Sequence, residues 1–162
     1  MTDLATIEPS TDPKVLALLR NDLRGLTKAQ IGELVEDLTQ RMGIDPSMAP
    51  IDLITERDGK IRVYFNARAA AEIAKRHELT DVDLTVEIRD LPPVVIAKVT
   101  KGDPSGRTLM DVGASSYLPD RPQDLARAIK TATTSAHRRA TMRMVGIFIN
   151  EPTEGTVVDG DA

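Results

Sequence analysis

Six cations crowd one stretch of this chain. Arg121, Arg127, Lys130, Arg138, Arg139 and Arg143 fall within residues 121–143, with a single acid, Asp124, among them. A guanidinium group grips phosphate oxygens in a bidentate fork, so an arginine-rich run is chemistry for holding a polyanion. On a 3.6-residue repeat Arg127, Lys130 and Arg138 share one side, while Arg121, Arg139 and Arg143 lie on another, bordering an apolar seam. One strip could face a phosphate backbone while the other flanks a sheet. A solvated helix face is the commoner fate of a charge run, and that alternative stands beside the first. With six cations against one acid the segment carries +5, so the rest of a chain of net charge −4 carries −9.

A second group of cations, Lys98, Lys101 and Arg107, flanks the turn at residues 102–106. A basic hairpin tip could extend a nucleic-acid groove; it could equally protect an edge strand from aggregation. His137 sits inside the basic run. Tyr64 and Phe65 could stack on bases, but neighbouring strand residues point to opposite faces, so at most one is free to do so.

Other chemistries find no footing. Gly102-x-x-x-Gly106 is only superficially like a phosphate loop: Arg107-Thr108 follows and leads into a strand instead of Gly-Lys-Ser/Thr and a helix. The two histidines, His77 and His137, have no metal-ligand spacing. Each falls late in a predicted helix, where an imidazolium suits the dipole. Ser115-Ser116 lacks the setting of a hydrolase nucleophile. With no Cys there is no thiolate, no disulfide and no Cys nucleophile. The expectation is a protein without catalytic residues, metal or cofactor.

The elements that must position the basic run can be read from spacing. Residues 1–11 are polar and read as a disordered N-terminus. A helical segment spans residues 12–50. Asp12-Pro13 opens a short helix with Val15, Leu16, Leu18 and Leu19, ending near Gly25. Thr27 and Gln30 form a capping box for a second helix with Ile31, Leu34, Val35, Leu38 and Met42 inward, stopping at Gly43. Residues 44–50 read as a linker. A core domain follows over residues 51–150. Asp58-Gly59 between apolar runs predicts a hairpin over 51–56 and 60–65. Asn66 caps a helix to about Glu78. Three strands are predicted at 82–89, 94–101 and 107–117, with Val82, Leu84, Val86 and Ile88 on one face of the first. A last helix, 122–141, carries Leu125, Ile129, Ala132, Ala136 and Ala140 on one side. The tail, residues 151–162, is acidic and reads as disordered. The fold class is α+β: N-terminal helices, a β-hairpin, a helix, a three-stranded antiparallel meander and a long C-terminal helix packed on the sheet.

Composition bounds the reading further. Aromatics make up only 2% of 162 residues, and there is no Trp. A core of small and aliphatic side chains buries little apolar area per contact, which predicts a modestly stable monomer that relies on self-association. No apolar run reaches the roughly 20 residues that span a bilayer. The N-terminus does not have the layout of a signal peptide, so a cytoplasmic protein is expected.

Two segments together resemble phage RecT-like single-strand annealing proteins. Val63-Tyr64-Phe65-Asn66-Ala67-Arg68-Ala69 through Arg76-His77 is similar to their strand-to-helix element. Thr134-Ser135-Ala136-His137-Arg138-Arg139-Ala140-Thr141, followed by Gly146 and Glu151, resembles their T-K-A-K-R-R-A-T … G … D-E signature, with Ser135 and His137 in place of two lysines. The resemblance covers roughly residues 50–154, in the same order and with strands between. It implies a Rad-type annealing fold and binding of single-stranded DNA. It also implies annealing of complementary strands in phage homologous recombination without ATP, in the cytoplasm of a bacterial host. It further implies assembly into rings or helical filaments with DNA along a basic groove, and partners such as a phage exonuclease or single-strand-binding protein. Arg138 and Arg139 fall on the family's paired arginines and Asn66 on its helix-capping Asn. The DNA-contacting set expected is Lys98, Lys101, Arg107, Arg127, Lys130, His137, Arg138, Arg139 and Arg143. The alternative is an oligomeric accessory or scaffold that recruits other recombination proteins without annealing.

Overall fold

Caps set the helix boundaries in the N-terminal segment. The structure, a computed structural model, describes residues 12–147; the tails expected at 1–11 and 151–162 lie outside the described residues. Helix α1, Pro13–Arg20, starts where Asp12 Oδ1 accepts the Lys14 N–H at 2.8 Å. It stops at Asn21, not near Gly25: Asn21 takes the left-handed conformation, φ 51°, and its N–H bonds the last carbonyls. Asn tolerates that conformation, so the helix needs no glycine to end. Helix α2, Lys28–Met42, has the predicted capping box, with Thr27 and Gln30 bonding reciprocally, and the predicted stop at Gly43, φ 63°. The expected linker contains a 3-10 turn, Pro46–Met48.

Strands β1, Ile51–Thr55, and β2, Ile61–Phe65, form an antiparallel hairpin closed by Asp58-Gly59. Asn66 then accepts from the N–H groups of Arg68 and Ala69 and starts helix α3, Ala67–Arg76. Strands β3, Thr80–Asp90, β4, Pro93–Gly102, and β5, Thr108–Ser116, make an antiparallel sheet in the order β3-β4-β5. Helix α4, Pro122–Met144, runs three residues beyond the predicted end.

Helix α4 is the centre of the molecule. Its Ala128, Ala132, Ala136 and Ala140 pack on Val95, Ala97 and Val99 of β4, with Leu125 and Ile129 alongside. On the far side of its last turns, Met142 joins Phe65, Ala69, Ala70, Ile73 and Ile44 in a second cluster. The second half of α4 is therefore sandwiched between the sheet and the layer built by β2 and α3; the first half has the sheet on one side and solvent on the other. A third cluster, Ala17, Leu23 and Leu34, ties the N-terminal helices to the hairpin, and the Leu23 N–H bonds the Ile61 carbonyl at 2.8 Å.

Gly113 on β5 makes the close approach possible. A Cβ there would fall against the Ala132 carbonyl oxygen and only 2.7 Å from the Ala136 nitrogen, both backbone atoms that cannot swing aside. Helix and strand touch backbone to backbone. Gly113→Ala is expected to destabilise the protein by about 1–3 kcal/mol or more through overpacking, read as a fall in the urea midpoint. A second expectation concerns acid. The Arg24 guanidinium beside Asp22 holds that carboxyl down from the usual 3.8 to about 2. Its stabilisation is complete above pH 4 and fades as pH falls toward 2. Asp22→Asn should therefore flatten the loss of stability across that window, measured by denaturation at stepped pH.

Candidate nucleic-acid interface

The basic run divides according to what packs on α4. Arg138 is 3% exposed. Its guanidinium lies 4.2 Å from the Tyr64 ring centroid and donates to the Phe65 carbonyl at 3.4 Å. The helical spacing that put it on one side with Arg127 and Lys130 is correct, yet the hairpin covers that side from residue 138 onward. Arg138 thus fastens α4 to β2 and is shielded from solvent. Phe65 is in the core and Tyr64 is half-buried against Arg138.

Arg139 and Arg143 wrap the outer edge of β5. The Asp103 N–H to Arg107 carbonyl and Tyr117 N–H to Pro93 carbonyl bonds bracket the β4–β5 ladder. With the pairing between those strands, they place the backbone groups of even-numbered β5 residues on the outer edge. At Val112 both are occupied: Arg139 Nη1 donates to the carbonyl at 2.9 Å, and the N–H bonds Asp111 Oδ1 at 2.8 Å. Arg143 Nη1 completes the cap on Asp111 Oδ2, 2.9 Å away.

The cations near the β4–β5 turn are also engaged. Lys101, 6% exposed, meets Asp81 at 2.6 Å, and His137 Nδ1 lies 3.4 Å from the same carboxylate oxygen. Arg107 pairs with Asp103 at 3.1 Å, and its Nη2 donates to the Met144 carbonyl at 2.6 Å, capping the end of α4. The Ser105 hydroxyl, then Arg107, hold the Asp103 carboxyl below its usual range. Lys98 is exposed on the opposite face of the sheet.

Arg127 and Lys130 are exposed on the solvent side of α4. Arg121, Thr131 and Thr134 are exposed with them, and the strip runs along the uncovered half of the helix towards Arg138 and Tyr64. Six of the acids, Asp3, Glu8, Glu151, Glu154, Asp159 and Asp161, lie outside the described residues, so the described part holds 21 cations against 19 acids. Asp81, which gathers Lys101 and His137, and Asp111, which pairs with Arg143, were not singled out in the sequence. Each is far along the chain from its partners, and no local spacing marks it.

An open cleft of about 560 Å³ lies at the end of α4, lined by residues that include His77, Asp103, Arg107 and Met144. Among the described residues no group of His, Asp and Glu is placed to hold a metal, and no helix is long and apolar enough to cross a membrane. Neither a protein-family model nor a curated protein matches the chain.

The two kinds of cation predict opposite outcomes. Arg138→Ala removes a buried charge with its ring and carbonyl contacts and should cost on the order of 2–4 kcal/mol. Lys130→Ala, on an open face, should stay within about 0.5 kcal/mol. Urea denaturation of both variants checks the division.

Proposed function

We propose that this chain binds single-stranded DNA and anneals complementary strands without a nucleotide cofactor, in recombination of the RecT-like kind that its two motifs resemble. The observation that carries the reading is the exposed cationic strip of Arg127 and Lys130 on the uncovered half of α4, with Arg121 exposed at the helix start, on a body whose excess of acids lies outside the described residues. Annealing needs phosphate charge neutralised so that two strands can approach, and it needs bases left accessible for pairing. A strip of cations and threonines with few aromatics suits both needs. Its grip would be weak per subunit, and self-assembly would multiply it into a track of much higher avidity. The natural setting is the bacterial cytoplasm, with a phage exonuclease or single-strand-binding protein as neighbours.

Within this reading the contacts to phosphate come from Arg127 and Lys130. Arg138 and Arg139 act indirectly, by holding α4 to the hairpin and to β5. A test by Arg138→Ala and Arg139→Ala would confound folding with binding, so the informative variant is Arg127→Ala with Lys130→Ala. It should weaken binding to oligonucleotides of any sequence. Loss of two phosphate contacts should also reduce the slope of log affinity against log salt by about 1.4. Two complementary oligonucleotides should anneal faster with the wild type than with the variant. Equal affinity and equal annealing by the two proteins, both folded, would overturn the reading. An oligomeric accessory protein is the second reading, favoured by the wholly exposed β3; it would assemble without accelerating annealing.

A further inference from the structure

The two edges of the three-stranded sheet are treated differently. At β5, Arg139 and Asp111 occupy the backbone groups of Val112, and Arg143 pairs with Asp111 over that edge. At β3, among the described residues, nothing comparable happens: all of its residues, Thr80 to Asp90, are exposed. Helix α4 packs mainly on β4 and β5 and meets β3 at the start of that strand, where His137 lies 3.4 Å from Asp81. Leu84, Val86 and Ile88, on the face that α4 covers elsewhere, are therefore 46%, 42% and 48% exposed.

The free backbone groups can be assigned. Odd-numbered residues of β4 bond to β5, so the even-numbered Val94, Ile96, Lys98 and Thr100 bond to β3, where they pair with Arg89, Glu87, Thr85 and Asp83. The N–H and C=O groups of Leu84, Val86 and Ile88 then point away from the sheet. An open apolar edge of this length is a template for another strand.

The sequence of β3 is complementary to itself. An antiparallel second copy with Val86 on the two-fold axis sets Leu84 opposite Ile88 on the apolar face. On the other face it sets Asp83 opposite Arg89 and Thr85 opposite Glu87. Leu84, Val86 and Ile88 each gain a donor and an acceptor. Shifting the register by one residue would oppose apolar to charged positions.

We infer that β3 is a homodimer interface, pairing with β3 of a second copy about a two-fold axis at Val86 to make a continuous six-stranded sheet with the order β5-β4-β3-β3-β4-β5. The interface is isologous, so it closes on itself. At the β5 edges Arg139 and Asp111 occupy the backbone groups of Val112, which hinders a further strand from pairing there. In the dimer the two α4 helices lie on the same side of the sheet. The inference stands on the strand alone and does not depend on DNA binding.

The charged pair supplies the test. Light scattering of the full chain should give twice the monomer mass. Asp83→Arg, and separately Arg89→Asp, should weaken dimerisation at least tenfold, and the double swap should restore it. Val86→Lys, which sets like charges together on the axis, should give a monomer with an unchanged urea midpoint extrapolated to the monomeric state. Hydrogen exchange should show the amides of residues 84, 86 and 88 slowing as concentration rises. A wild type that stays monomeric at hundreds of micromolar overturns the inference. So does a dimer whose double swap is no better than the single swaps, or one in which those amides remain unprotected.

Discussion

Helix α4 and strand β5 meet backbone to backbone at Gly113, and the rest of the architecture follows from that contact. The Ala128, Ala132, Ala136 and Ala140 seam supplies no long side chain to hold the helix off the sheet, and Gly113 supplies no Cβ. The helix sinks onto β4 and β5 until main-chain atoms touch. Small residues interlock tightly but bury little area each. Position is thereby fixed more strictly than stability is enriched.

Because the helix is drawn toward β5, its cations inherit distinct duties from their azimuth and height. Arg139 and Arg143 overhang the β5 edge, Arg139 on the Val112 carbonyl and Arg143 on Asp111. Arg138, one residue away but rotated, is caught under the hairpin against Tyr64. Arg127 and Lys130, nearer the helix start, rise clear of that layer and keep their contact with water. A charge run that is uniform in sequence becomes a fastening, an edge cap and an exposed strip. The same offset leaves Leu84, Val86 and Ile88 of β3 exposed, so among the described residues one edge of the sheet is capped at Val112 and the other is not.

Much of this was legible along the chain. The Thr27–Gln30 box, the Gly43 stop, the Asp58-Gly59 turn, the Asn66 cap and the alanine seam all rest on hydrogen bonds and side-chain periodicities that reach no more than a few residues. The α+β class and the order of its elements followed from them. Asn21 ended α1 earlier than expected because its side chain made a left-handed cap affordable without glycine. The site was less legible. Helical phase grouped Arg138 correctly with Arg127 and Lys130, but phase carries no information about which stretch of a helix another layer will cover.

Local interactions thus determined where each element starts, stops and turns its apolar side, and these are properties of neighbouring residues alone. Tertiary packing decided which cations are spent on carbonyls and on Asp81 or Asp111, and which strand edge stays open. Those outcomes depend on contacts between residues tens of positions apart, such as Arg138 with Phe65 and Arg143 with Asp111. Burial and pairing at that range exist only once the layers have closed around α4.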